Sequence, residues 1–229
     1  AEKLNAMLGD MRNFVSQLAT YKFFTKTNLK NYRMTFVQVS AQISLLELYG
    51  IHDVKFDNLK GMYQQYAKFD MDGPKAKKIR KVLNCLNDAF DKKTPEINNR
   101  ASVVSLYLLT SELLENYSLK GKEKVIQDFL IDFQTKLRAE IEKGTKATDA
   151  ELLLYQSAII QAADSKDSIS KRHDILKKRF FNYATDIEPL DPQRGFTEDQ
   201  RIAIYRKDNE TCQICGKHVD WGDFHADHI

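Results

Sequence analysis

From Leu4 to Tyr183 the apolar residues recur mostly three and four positions apart, the spacing that lines one side of an α-helix. Leu4, Leu8, Met11, Val15 and Leu18 form one stripe. Phe36, Val39, Ile43 and Leu46 form a second, and Ile79, Val82, Leu83, Leu86 and Phe90 a third. The pattern predicts about eight amphipathic helices before residue 184. Helix punctuation agrees: Thr94-Pro95 offers a cap followed by a first-turn proline, and Thr148 with Glu151 reads as a capping box. Gly50, Gly121 and Gly144 fall where helices should stop or turn. Alternation of β-branched residues is scarce here, and no internal repeat or low-complexity tract interrupts the pattern.

Periodicity fails between Ala184 and Gly195, where Pro189, Pro192 and Gly195 exclude a continuous helix. A linker over 184–195 therefore separates a helical domain, 1–183, from a short module, 196–229. In that module Thr197 and Gln200 form a capping box for a helix from Glu198 to about Lys207. Val219, Trp221 and Phe224 then lie among turn residues, which predicts a knuckle followed by a β-hairpin. The expected fold class is mainly α, a multi-helix domain followed by a short, incomplete zinc-knuckle segment.

Composition narrows the function only modestly. The chain has 229 residues, 42% hydrophobic and 29% charged, and carries no apolar run long enough to span a bilayer, which argues against a membrane protein. A net charge of +3 permits a polyanionic partner without requiring one. Three cysteines do not make a disulfide framework and no apolar signal opens the chain, so a reducing cytoplasmic location is the simplest reading. The chain starts without Met inside a helical pattern and ends inside a motif, as expected of a fragment of a longer protein.

The chemistry is concentrated in the last residues. Cys212-x-x-Cys215-Gly216 sets two sulfurs at the mouth of a tight turn, and the glycine lets the backbone fold back so that both can meet one tetrahedral ion. Zinc is the natural guest, with its other two ligands drawn from His218 and His225 or from beyond Ile229. A redox pair or an inert surface turn are the alternatives, although no thioredoxin-like βαβ pattern surrounds the cysteines. Asp227-His228 adds a hard carboxylate ligand for Mg²⁺ or Mn²⁺ beside an imidazole that titrates near neutrality.

The run from Thr197 to Gly216, continuing through Phe224-His225-Ala226-Asp227-His228-Ile229, resembles the opening of an HNH endonuclease, the ββα-metal nuclease family. The resemblance implies a phosphodiester hydrolase in which His228 is the general base and Asp227 a ligand of the catalytic Mg²⁺ or Mn²⁺. By the same likeness Cys212 and Cys215 are half of a structural zinc knuckle; His225 is either a supporting or phosphate-contacting residue or simply a partly exposed strand histidine. The family's second strand and following helix are missing from this sequence, so the chain by itself is expected to be inactive.

The helical region, through Leu4 to Phe14, Asn99 to Tyr107 and Gln161 to Leu176, resembles the helical half of bacterial proteins in which a ParB-like nucleotide-binding domain precedes an HNH domain, the GmrSD-like restriction group. The ParB-like signature Asp-Gly-Gln-Gln-Arg does not occur here. The resemblance implies DNA and an upstream ParB-like domain as partners, in a bacterial restriction or anti-phage effector. Two lysine-rich helices offer phosphate contacts: one with Lys75, Lys77, Lys78 and Lys81, and a better one with Lys171, Arg172, Lys177 and Lys178 just before the linker. Each could equally be a solvated face. Asn99 and Arg100 follow a helix start, where capping and ion-pair roles fit better than the binding of an anion, His173 reads as a boundary or core histidine, Cys85 as a buried thiol, and Phe23-Phe24 and Phe180-Phe181 as packing residues. The rival reading is a non-catalytic helical interaction or regulatory module whose terminal knuckle binds zinc or nucleic acid.

Overall fold

The periodic stretches form helices, in a computed structural model that describes residues 2–190 and 198–225. In chain order they are α1 (Glu2–Asn5), α2 (Asp10–Leu18), α3 (Lys22–Thr25), α4 (Thr35–Tyr49), α5 (Phe56–Gln65), α6 (Pro74–Ala89), α7 (Arg100–Asn116), α8 (Lys124–Glu142), α9 (Ala150–Ile160), α10 (Lys166–Tyr183) and α11 (Glu198–Lys207). Among the first ten, α1 and α3 are single turns, which leaves eight longer helices before residue 184. Among the described residues none is long and apolar enough to cross a membrane. The chain divides into two compact units, Ala1–Ile187 and Glu188–Ile229.

The helical unit is built around α4 and α7. Every residue of α4 from Val39 to Glu47 is buried, and α7 packs on α4, α6 and α10. Burial of Ile43, Leu45 and Leu46 alone contributes on the order of 5–9 kcal/mol of transfer free energy. Polar residues on such a helix need internal partners. Ser44 Oγ donates to the Ser40 carbonyl at 2.8 Å, and Gln42 Nε2 donates to Asp164 Oδ1 at 3.0 Å. Glu47 accepts from Tyr107 Oη at 3.0 Å and Ser111 Oγ at 3.2 Å, and pairs with Lys78 at 2.8 Å. The second and third sequence stripes lie in this core, with Phe36 half-buried at its edge.

Four local expectations are corrected. The first stripe is interrupted at Gly9, whose φ of +120° breaks the helix and leaves Leu8 90% exposed. A Cβ at Gly9 would lie 2.8 Å from the Ala67 carbonyl oxygen, so the close approach of these two segments depends on the missing side chain. Thr94-Pro95 does not start a helix. Thr94 pairs as a parallel bridge with Thr27, its N–H donating to the Lys26 carbonyl at 2.8 Å, and this extended pairing competes with helical geometry. The cap falls instead to Asn99, whose Oδ1 accepts from Ser102 N at 2.8 Å. At α9 the cap is Asp149 rather than Thr148, because the Thr148 and Asp149 N–H groups both turn back to the buried Glu140 carboxylate. The helical unit also extends beyond Tyr183, since Ala184 and Ile187 are buried in its core. Pro192, Gly195 and Thr197 lie outside the described residues.

Candidate metal centre and nucleic-acid contacts

In the C-terminal unit α11 occupies the span the sequence predicts, and it ends on two left-handed residues, Asn209 (φ 49°) and Glu210 (φ 56°). Glu210 N donates to the Tyr205 carbonyl at 3.0 Å, closing the last turn and sending the chain back along the helix. Thr211 and His218 then face each other in a single antiparallel bridge that encloses the Cys-x-x-Cys turn. Cys212 N donates to Lys217 O and Gly216 N to Cys212 O, both at 2.8 Å, and Gly216 has φ +69°, a backbone region that glycine enters without strain. The backbone thus folds back at Gly216. Of the expected hairpin after it the described residues show no strand, and Trp221–Asp223 is a single 3-10 turn.

Aromatic packing holds this turn against α11. The Tyr205 ring meets Trp221 edge-on at 5.1 Å and Phe224 at 5.2 Å, while Trp221 and Phe224 stack at 5.7 Å. Tyr205 Oη donates to the Val219 carbonyl at 2.8 Å, and the Arg201 guanidinium lies over Trp221 at 5.3 Å. Sequence periodicity does not single out Tyr205 or Arg201. Their signal is the aromatic pair Trp221 and Phe224, which needs an apolar platform in so short a module. Even so, every side chain described from Arg201 to His225 keeps some solvent exposure. A module with so thin a core gains little from burial alone.

Cys212 is half-buried, Cys215 exposed, and both thiols are free. The backbone N–H groups of Cys215 and Ile214 point at the Cys212 sulfur, joined by the Cys215 thiol, and lower the Cys212 pKa below its usual value. Hydrogen bonds of this kind favour a thiolate, which is the metal-binding form. Two soft sulfur donors on one turn fit zinc as half of a four-ligand shell. Among the described residues no three His, Cys, Asp or Glu side chains converge on one point. His218 Nε2 sits 3.4 Å from Asp220 Oδ1, and the exposed His225 shares a cleft of about 300 Å³ with Cys212, Tyr205 and Phe224. Asp227 and His228 lie outside the described residues.

On α10 the predicted phosphate contacts are largely engaged elsewhere. Arg172 is a correction: its side chain is 1% exposed and cannot reach a DNA backbone. Its guanidinium donates to Ser105 Oγ at 3.0 Å and to the Ala158 and Ala163 carbonyls at 2.5 and 3.0 Å, tying α10 to α7 and to the end of α9. Lys171 pairs with Asp167 at 2.6 Å, Lys177 with Glu112, and Lys178 with Glu151. Burial raises the Glu112 pKa, but hydrogen bonds from Lys177 and His173 outweigh it and hold the carboxyl below its usual range. Periodicity shows that these cations share a helix; it does not show which acids on α7 and α9 face them. On the other lysine-rich helix, Lys78 binds both Glu47 and Glu115.

No family model matches this chain, and no curated protein or solved structure matches it.

Proposed function

We propose that this chain carries the opening of an HNH-type, metal-dependent DNA endonuclease module behind a helical domain, in a bacterial restriction or anti-phage effector. The observation that carries the reading is the Cys212–Gly216 turn, closed by Cys212 N donating to Lys217 O and Gly216 N to Cys212 O, set a short distance in sequence before Asp227-His228. A knuckle with that chemistry immediately ahead of a carboxylate-imidazole pair matches the order of parts in the nuclease family. The thin core of the module also favours a structural zinc, because a metal replaces burial as the source of order in small domains.

In this reading Cys212 and Cys215 hold zinc and fix the chain that leads to Asp227 and His228. His225 supports the site or touches a phosphate. The His228 imidazole takes the proton of a water as that water's oxygen attacks phosphorus, and the bond from phosphorus to the leaving oxygen breaks. Asp227 would hold Mg²⁺ or Mn²⁺, whose charge offsets the negative charge building on the phosphoryl oxygens. The remaining ligands of both ions, and a ParB-like domain as partner, belong to the same proposal. The test is plasmid cleavage by the complete protein with Mg²⁺ or Mn²⁺, beside His228→Ala, on modified and unmodified DNA. The reading expects cleavage that is lost in the variant while its folded spectrum is kept. Undiminished cleavage by His228→Ala removes that residue from the chemistry, and zinc binding with no cleavage by the wild type favours a non-catalytic module.

A further inference from the structure

Between Asp10 and Glu47 the sequence contains no acidic residue, yet it carries Arg12, Lys22, Lys26, Lys30 and Arg33. In the helical unit the Thr27–Thr94 bridge brings the Lys92-Lys93 turn alongside this acid-free segment. Lys26 is used internally, its Nζ donating to the Asn87 carbonyl near the end of α6 at 2.5 Å. Lys22, Lys30, Arg33, Lys92 and Lys93 are exposed, and among the described residues none has a carboxylate within ion-pair distance. The nearest acids in sequence are engaged, Asp91 by Lys124 at 2.7 Å and Glu96 by Arg138 at 3.8 Å. On α10, by contrast, the exposed Lys171 and Lys178 are paired with Asp167 and Glu151, so it is the acid-free segment that has positive charge left for an anionic partner.

The backbone supplies a second observation. Arg33 (φ 49°) and Met34 (φ 60°) are consecutive left-handed residues, neither of them glycine, and such outliers cluster at ligand-binding and other functional sites. Here they accompany Tyr32, which is 73% exposed with Lys30 Nζ 5.9 Å from its ring centre. The turn is firmly held: Phe36 N donates to Asn31 Oδ1 at 2.9 Å, Thr35 Oγ1 donates to the Tyr32 carbonyl at 2.5 Å, and Phe36 stacks on the buried Phe24 at 5.0 Å. Tyr32 is thus presented to solvent on a hydrogen-bonded turn, between Lys30 and Arg33 in sequence.

We propose that the segment from Lys22 to Arg33, together with Lys92 and Lys93, is a binding surface for single-stranded nucleic acid. Lysine and arginine side chains follow the phosphates, and the Tyr32 ring offers a stacking face to an unpaired base. An aromatic ring held out among unpaired cations suits a single strand better than a duplex, whose bases are already stacked. The proposal goes beyond the nuclease reading, since it concerns binding by the helical unit and involves neither Asp227 nor His228.

The experiment measures anisotropy of a labelled thymidine oligonucleotide with the full chain in EDTA, which keeps metal-dependent chemistry out of the result. Competitors are the matching duplex and vesicles of phosphatidylcholine with phosphatidylserine. Tyr32→Ala is expected to weaken single-strand binding by about tenfold. The pair Lys30→Ala with Arg33→Gly should weaken it further and make the log-log salt dependence shallower by about 1.4, the contribution of two single-strand phosphates. Glycine adopts the backbone of Arg33 without strain, so that variant removes the charge and keeps the turn. Lys171→Ala with Lys178→Ala should bind as the wild type does. No binding of the oligonucleotide, tighter binding of the duplex, preference for the vesicles, or unchanged affinity in the Tyr32 and Lys30/Arg33 variants would each overturn the proposal.

Discussion

At the scale of single residues the three cysteines divide by environment. Burial, aided by the nearby Glu123 and Asp88, pushes the Cys85 thiol up to about 12, whereas the N–H groups of Cys215 and Ile214 lower that of Cys212. Once a chelator has removed any bound metal, iodoacetamide at neutral pH should therefore alkylate Cys212 and Cys215 in the folded protein and reach Cys85 only after denaturation, as peptide mass mapping would read. Labelling of Cys85 at the same rate in the native state would contradict its placement. Arg172 makes a sharper prediction. Replacing it by Ala strips partners from Ser105 Oγ and from the Ala158 and Ala163 carbonyls, and should cost about 2–4 kcal/mol in a denaturant titration. A loss within about 0.5 kcal/mol, the ordinary range for a surface substitution, would place the side chain outside the core. The sequence reads Arg172 as one more cation on a basic helix, because periodicity cannot tell a buried guanidinium from a solvated one when its partners are a serine and two carbonyls distant in the chain.

At the scale of elements, the connection from α8 to α9 is organised by one carboxylate. Glu140 accepts from the Thr148 and Asp149 N–H groups and pairs with Lys143, which lowers its pKa from 4.5 to about 2, the lysine contributing most. A depressed carboxyl pKa adds stability that is fully present above about 4.5 and disappears as pH falls through about 2. Thermal melts of the wild type should therefore fall across that acid window, and Glu140→Gln should flatten part of the fall. An identical acid limb in the variant would remove Glu140 from the connection. At the other end of the unit, Gly9→Ala must place a Cβ against the Ala67 carbonyl with φ near +120°, a strain of about 1–3 kcal/mol visible as a lower denaturation midpoint. Helix existence was legible in the spacing of Ile79, Val82, Leu83 and Leu86, while the breaks were less so. Thr94-Pro95 carries a helix-start signal that is locally sound, and the pairing of Thr94 with Thr27, which overrides it, joins residues far apart in sequence. The polar Gln42 and Glu47 on the buried helix α4 are hard to read for the same reason: their partners on α7, α6 and the loop before α10 are invisible to a local pattern.

At the scale of the whole molecule, the chain joins a helical unit with a large core to a small unit that has almost none. The larger unit explains its own stability through α4 and α7. The smaller one has an aromatic clasp of Tyr205, Trp221 and Phe224, whose members lie apart in sequence, and a tight cysteine turn that can be read from local sequence because it spans few residues. The same locality makes the cysteine motif the most legible part of the candidate site, whereas the exposed surface around Tyr32 emerges only when the structure sets Thr27 beside Thr94. All function proposed for the smaller unit depends on the cysteine turn holding a metal. Its most direct test is metal content and Co²⁺ substitution of the complete protein, purified in reducing buffer. The account predicts one zinc per chain and, with cobalt, a near-ultraviolet thiolate charge-transfer band, both lost in Cys212→Ser while the helical unit keeps its circular dichroism. A metal-free protein with no cobalt band, or a zinc content unchanged by Cys212→Ser, would contradict it.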